Sequence, residues 1–331
     1  MGSINPTHGA AGDTVTISGS GFQSTPSMNT VSINGKQALT IGASPTQLQV
    51  IVPSLCGTGN VIVSANGTFG MGPLFTYDVA SRLTTFATGL HNPEYLTADG
   101  SGNLYVTNFG SGTVSKISPA GMATTVASGL NQPTGVTIDA NGNLYVASNG
   151  GRNVCTIMEI TPAGAVRSFA TISGYVYGLA TDNAGNIYAA NFTNASILKI
   201  TNTGNTSTFA TTLNAISDLA FDGNGNLYAT GILGGTVFEI FPGGYVNTIF
   251  SGFNLEGPNG IAIDSHNNLF ISVSGNNTLS EYNTITELSS TGALTTFATG
   301  LDQPCGLIID ANGSLCVVNT LAGSISKIKF Q

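Results

Sequence analysis

From residue 83 onward, apolar and polar positions alternate in short runs, and one layout of these runs recurs six times. The stretch Ile138-Asp139-Ala140-Asn141-Gly142-Asn143-Leu144-Tyr145-Val146 shows it. An apolar residue ends one strand, Asp, Asn and Gly supply a tight turn, and Leu, Tyr and Val open a second strand of period two. The same unit appears at 98–106, 181–189, 221–229, 263–271 and 309–317. Upstream of each hairpin lies another strand, such as Thr84-Thr85-Phe86-Ala87 or Ser207-Thr208-Phe209-Ala210. Downstream comes a further one, such as Ser115-Lys116-Ile117 or Leu198-Lys199-Ile200. The pattern predicts four strands per repeat.

The aspartates at 99, 139, 182, 222, 264 and 310 are spaced by 40, 43, 40, 42 and 46 residues, a period that belongs to propellers and solenoids. A lone four-stranded sheet cannot cover its apolar face, so six of them are expected to stack around an axis. The array begins with a strand at 83–87 and stops after its third strand at 326–330. Pairing these two ends would close the ring and leave no orphan edge. Residues 1–78 do not share the period. Alternating segments at 12–19, 31–35, 48–53 and 61–63, separated by turn residues, predict a small immunoglobulin-like sandwich. The expected fold is all-β, with a sandwich over 1–78, a short linker at Asp78-Val79-Ala80-Ser81, and a six-bladed propeller over 79–331.

Two resemblances follow from particular residues. The phrases Leu130-Asn131-Gln132-Pro133-Thr134-Gly135-Val136-Thr137-Ile138-Asp139 and Asn143-Leu144-Tyr145-Val146 resemble the NHL repeat. Pro6, Gly9 and Gly12, then Gly19 to Phe22, then Phe75-Thr76-Tyr77, resemble the IPT/TIG module. The first implies a propeller family that includes both enzymes and binding scaffolds, and the second implies a spacer or interaction module. Neither fold dictates a function.

Charge narrows the classes of partner. Eight basic against sixteen acidic residues give a net charge of −8, so a basic groove for phosphates is absent and nucleic acid is not expected as a partner. No run approaches the roughly 18 continuous apolar residues of a membrane helix, so membrane insertion is not expected either. Met1-Gly2-Ser3-Ile4-Asn5-Pro6 has neither the positive start nor the apolar core of a secretory leader. A chain with 7% charged residues and 44 glycines nonetheless suits an extracellular or cell-surface protein, and its low charge does little to oppose self-association. Cys56, Cys155, Cys305 and Cys316 form no Cys-x-x-Cys pair, and Cys316 stands where other repeats carry Tyr, as a buried apolar residue would.

Candidate chemistry is sparse. The turn aspartates begin like a calcium loop, but Gly150 stands where the bidentate Glu would be, so a structural Asx turn is expected in all six. With three histidines and no Gly-x-Ser-x-Gly elbow, no catalytic triad is read. Residues just before each innermost strand should line the mouth of the channel, and among them Glu94, Tyr95, Tyr177, Asp218 and Asn259 are candidate ligand contacts. Loops between second and third strands should emerge on that same mouth face. Those of blades 2 and 5 are elaborated, as is the loop before blade 5, which adds Arg152 and Glu256. Blades 1 and 4 should hold Glu94 and Asp218 apart, on opposite sides of an open channel. Equivalent third-strand positions carry Lys116, Glu159, Lys199, Glu239, Glu287 and Lys327, an alternation expected to give weak pairs between blades. The favoured reading is a non-enzymatic binding protein without cofactor, whose mouth face takes a glycan or protein. Resemblance to lactonases and lyases implies an alternative, a divalent cation held by Glu94, Asp218 and Asn259. A structural subunit of an extracellular assembly is the third reading.

Overall fold

The computed structural model of the protein describes residues 2–9, 12–53, 56–77, 83–151, 153–211, 213–252, 258–274 and 283–330. Apart from one 3-10 turn at Pro26–Met28, its described regular structure is β. Two compact units result, one built around Met1–Leu83 and the other around Thr84–Leu294 and Thr299–Ile328. The expected linker at 78–81 lies outside the described residues.

The first unit comprises β1 (Ser3–Asn5), β2 (His8–Gly9), β3 (Thr14–Ser18), β4 (Asn29–Ile33), β5 (Lys36–Ser44), β6 (Gln47–Ile51), β7 (Gly59–Ala65) and β8 (Thr68–Tyr77), in the spatial order β1-β3-β6-β5-β4-β7-β8-β2. Alternation decides which side chains enter its core. Val15 and Ile17 of β3, Val31 and Ile33 of β4, and Leu48 and Val50 of β6 are fully buried, and their neighbours point outward. Residues 36–38 of β5 pair with β4 and residues 39–44 pair with β6, the second ladder carrying a bulge between Thr40 and Gly42. One strand thus serves both layers of the sandwich. The sequence carries no clean signal for β5, because Leu39 and Ile41 face outward at 67% and 48% exposure and break the expected alternation.

The second unit is a ring of six four-stranded antiparallel sheets. Its innermost strands are Pro93–Ala98, Pro133–Ile138, Val176–Thr181, Ile216–Phe221, Pro258–Ile263 and Pro304–Ile309; each packs beside the next, and the last packs beside the first. Blade 6 takes Leu83–Ala87 as its outermost strand, so the two ends of the array do pair. Thr84 Oγ1 donates to Lys327 O at 3.3 Å, and Lys327 Nζ sits 3.9 Å from the Phe86 ring centre and 2.8 Å from Asp310 Oδ2. Between blades the apolar faces interlock, as where Ile197 and Ala190 of blade 3 meet Leu219, Leu227 and Phe238 of blade 4. Each large side chain buried in this way contributes about 1.5–3 kcal/mol.

All six turn aspartates do what the Asx reading expects. Asp139 Oδ1 accepts from the amides of Asn141 and Asn143 at 2.9 and 2.8 Å, and its Oδ2 accepts from Asn143 Nδ2 at 2.9 Å. The first two bonds recur at Asp99, Asp182, Asp222, Asp264 and Asp310. At Asp99, Asp182 and Asp310 partial burial alone would raise the carboxyl, but the donors outweigh it and hold all three below the ordinary value. At Glu159, Lys199, Glu239 and Lys327 the expected pairs between blades give way to bonds inside the blade. Arg167 Nε donates to Glu159 Oε2 at 2.6 Å, Lys199 lies 3.8 Å from Asp182, Lys327 pairs with Asp310, and Tyr228 donates to Glu239 at 3.1 Å. The register explains the correction. Third-strand residues lie directly opposite second-strand Tyr105, Tyr145, Tyr188 and Tyr228, and Lys199 and Lys327 reach the turn aspartate of their own blade.

Candidate functional site

Every innermost strand opens with a break in its ladder, between Pro93 and Leu96 in blade 1 and at the equivalent place in the other five. The break frees backbone groups near the axis, and hydroxyls satisfy several of them. Thr107 Oγ1 accepts from Tyr95 N, Thr230 Oγ1 accepts from Asp218 N and donates to Asn259 O, and Ser272 Oγ accepts from Gly260 N and donates to Cys305 O. The bonds to Asn259 O and Cys305 O cross from one blade to the next.

The residues at the break form a column around the axis: Tyr95, Gly135, Gly178, Asp218, Gly260 and Gly306. A methyl group on Gly135 would collide with Tyr177 O, on Gly178 with Asp218, on Gly260 with Cys305 O and on Gly306 with the Tyr95 backbone. Only two of the six positions can carry side chains, and these fill the centre. The Tyr95 hydroxyl reaches across the ring to Ser217, 3.2 Å from its carbonyl and 3.0 Å from Oγ, while Asp218 Oδ2 accepts from Ile261 N at 3.1 Å. The open channel expected between blades 1 and 4 is therefore plugged at this level, and Tyr95 and Asp218 are exposed by only 4% and 6%. Close approach of the inner strands, permitted by the four glycines, is the physical reason.

Burial shapes the acidity of this plug. It raises Asp218 to about 8 against the pull of the Leu219 and Ile261 amides, and raises Glu94 to about 7 although the Cys305 thiol donates to Oε2 at 3.6 Å. Tyr95 and Cys305 are pushed well above their ordinary values by burial first, then Tyr95 by Cys305 and Asp218, and Cys305 by Glu94 and Asp218. Asn259 is half-buried and its side-chain amide hydrogen-bonds Ser274 Oγ. Among the described residues no three His, Cys, Asp or Glu side chains converge on one point. Arg152, Glu256 and the elaborated loop of blade 5 at 275–282 lie outside the described residues.

Beside the plug, on the mouth face over blades 1 to 4, opens a cavity of about 1080 Å3. Loops reach it because in blades 1, 3 and 4 the connection between second and third strands is tied to the segment before the innermost strand. Phe109 N donates to Asn92 O at 3.0 Å, Phe192 N to Tyr175 O at 2.9 Å, and Ile232 N to Ala215 O at 3.1 Å. Tyr175, Tyr177 and Phe192 form one aromatic wall, with ring centres 5.0 and 5.1 Å apart, and Phe109, Leu213 and Leu233 continue the apolar lining. Gln132, Asn153 and Asn214 add amides, and no described lining residue is ionic. Gln132, Ala195 and Ala215 on its rim hold φ of 41°, 47° and 34°, a left-handed conformation that costs side-chain-bearing residues about 1–2 kcal/mol each. Of the residues expected from sequence, Tyr177 lines the cavity, and Glu94 is close enough to raise Tyr175 and Tyr177, whose shifts come first from burial. Phe109 and Phe192 were detectable in the sequence, since they occupy the same place after Asn108 and Asn191 in their repeats.

Comparison with known proteins bears on the fold. The family profile of the IPT/TIG domain matches residues 1–77. A search of curated protein sequences finds no match. Among solved structures, an auxiliary nutrient binding protein from Bacteroides thetaiotaomicron VPI-5482 is similar at a TM-score of 0.62 and 16% identity, over 99% of this chain and 96% of that one. A protein of the same description from Bacteroides ovatus ATCC 8483 has a TM-score of 0.62 and 16% identity, over 100% and 97%. Virginiamycin B lyase from Staphylococcus aureus has a TM-score of 0.57 and 16% identity, over 96% and 99%. At these identities the likeness shows the fold alone. The chain joins an N-terminal IPT/TIG domain to a six-bladed β-propeller.

Proposed function

We propose that the protein is an extracellular or cell-surface binding protein whose mouth-face cavity takes a neutral carbohydrate. The observation that carries this reading is the lining itself. Tyr175, Tyr177 and Phe192 offer ring faces for the apolar side of a sugar, while Gln132, Asn153 and Asn214 offer paired donors and acceptors for its hydroxyls. An ionic ligand would find no described counter-charge in this lining. A volume of about 1080 Å3 suits a short oligosaccharide rather than one sugar. The similar structures described as auxiliary nutrient binding proteins support the same class of role. The IPT/TIG domain acts as spacer or assembly contact.

Titration calorimetry against a panel of neutral oligosaccharides tests the reading. Phe192→Ala and Tyr177→Ala should each weaken the best ligand by tenfold or more, about 1.4 kcal/mol, without changing the melting temperature of Phe192→Ala. A panel without a ligand at millimolar concentration, or a ligand indifferent to both substitutions, would sink it. One observation favours a second reading, proton-transfer chemistry of lyase or lactonase type. Glu94, held near pH 7 by burial at the edge of the aromatic wall, is poised as a general acid or base. Glu94→Gln should then abolish turnover of a lactone or cyclic ester while leaving its binding intact.

A further inference from the structure

A different surface, on the IPT/TIG domain, is apolar where the outer face of a sandwich is normally wet. Register across β4, β7 and β8 places Thr30 beside Ser64 and Phe69, Ser32 beside Ile62 and Met71, and Asn60 beside Leu74. On β5, Ala38 points inward opposite Val31, and Leu39, whose ladder partner is Ile51 of β6, points outward at the margin of this face, lining one depression with Thr30. Leu39, Ile62, Phe69, Met71 and Leu74 are 67%, 37%, 75%, 70% and 56% exposed. Together they show on the order of 600 Å2 of apolar surface, at the upper end of what a typical monomer leaves uncovered. With the interleaved Thr, Ser and Asn side chains the face offers about the 800 Å2 per partner of a standard interface.

We propose that this face is a homodimer interface, on which two copies stack their β5-β4-β7-β8 sheets face to face about a two-fold axis. Three features select a second copy of this chain. No charged residue falls in these rows, so nothing complements a charged partner, and a two-fold sets neutral rows on neutral rows without opposing like charges. The area is that of a stable dimer, and a second copy supplies a matching face of the same size by construction. Pairing along the edge of β8 is disfavoured, because Pro73 lacks an N–H and the register shifts between Asn60 and Ile62. The partner must lie on the face.

Light scattering on a sizing column, with the full chain at concentrations up to roughly 100 μM, tests the proposal. The wild type should run at twice 33.6 kDa. Phe69→Glu and Met71→Lys each place a charge in the centre and should raise the dissociation constant by about a hundredfold or more, giving monomer with an unchanged far-UV spectrum and melting temperature. Met122→Glu, at a propeller residue that is 70% exposed, should leave the dimer intact. A wild-type monomer throughout the range, or a dimer indifferent to both β8 substitutions, overturns it.

Discussion

Replacing Asp218 by Asn tests the account of the plug most sharply. In the folded chain this carboxyl is pushed from its ordinary 3.8 to about 8 by burial, so between those values the folded state keeps a proton that the unfolded state has lost. The contribution to stability is fully present below about pH 4 and drains away as pH rises to 8. At 1.36 kcal/mol per tenfold change in proton affinity, the loss is of order 5 kcal/mol, a large share of the 5–15 kcal/mol that holds a domain together. Glu94 acts in the same direction between 4.5 and about 7. The turn aspartates Asp99, Asp182 and Asp310 act in the opposite direction, but only as pH falls through their depressed values, and so leave the window from 5 to 9 clear. Asparagine keeps an acceptor for the Ile261 amide and carries no charge at any pH in the window. Urea unfolding at pH 5, 7 and 9 should therefore find Asp218→Asn about 1–2 kcal/mol more stable than wild type at pH 5 and of order 5 kcal/mol more stable at pH 9. The melting temperature should follow by about 10–20 °C in a unit of this size. If the two proteins lose stability in parallel from pH 5 to 9, the plug is not a protonated, buried carboxyl and the reasoning fails.

Two further outcomes follow from hydrogen bonding. Asp139→Ala strips the acceptors from two amides and one side chain of its turn, and should cost about 1–3 kcal/mol in denaturant unfolding; a loss below 0.5 kcal/mol would mean that the Asx turn does not support its blade. Thr236 Oγ1 is the one buried side-chain polar atom among the described residues without a hydrogen-bond partner, because Gly231 replaces the Asn that meets the third-strand hydroxyls of blades 1 and 6. Thr236→Val should consequently be neutral or stabilising by up to about 1 kcal/mol, and a clear fall in melting temperature would expose a partner for that hydroxyl.

What could be read from the sequence, and what could not, divides along a physical line. Period, turn chemistry and alternation act locally and repeat, so the six hairpins, the closure through Leu83–Ala87 and the role of each turn aspartate all appear in the residues. Convergence on the axis is collective. Glu94 and Asp218 look like channel-lining carboxylates when each blade is considered alone, and only the distance between blades decides whether there is a channel to line. That distance did leave a trace, in Gly135, Gly178, Gly260 and Gly306, for a column of glycines around an axis means that backbones approach where side chains cannot. The same column explains why the cavity lies off the axis. With Tyr95 and Asp218 filling the centre, the cavity forms where loops rise over a fixed floor, and blades 1 and 3 raise Phe109 and Phe192 there from one repeat position. Tyr177 ties the two regions together: its carbonyl sits against Gly135 in the axial column and its ring stands in the aromatic wall. A rigid plug therefore sets the position of that wall.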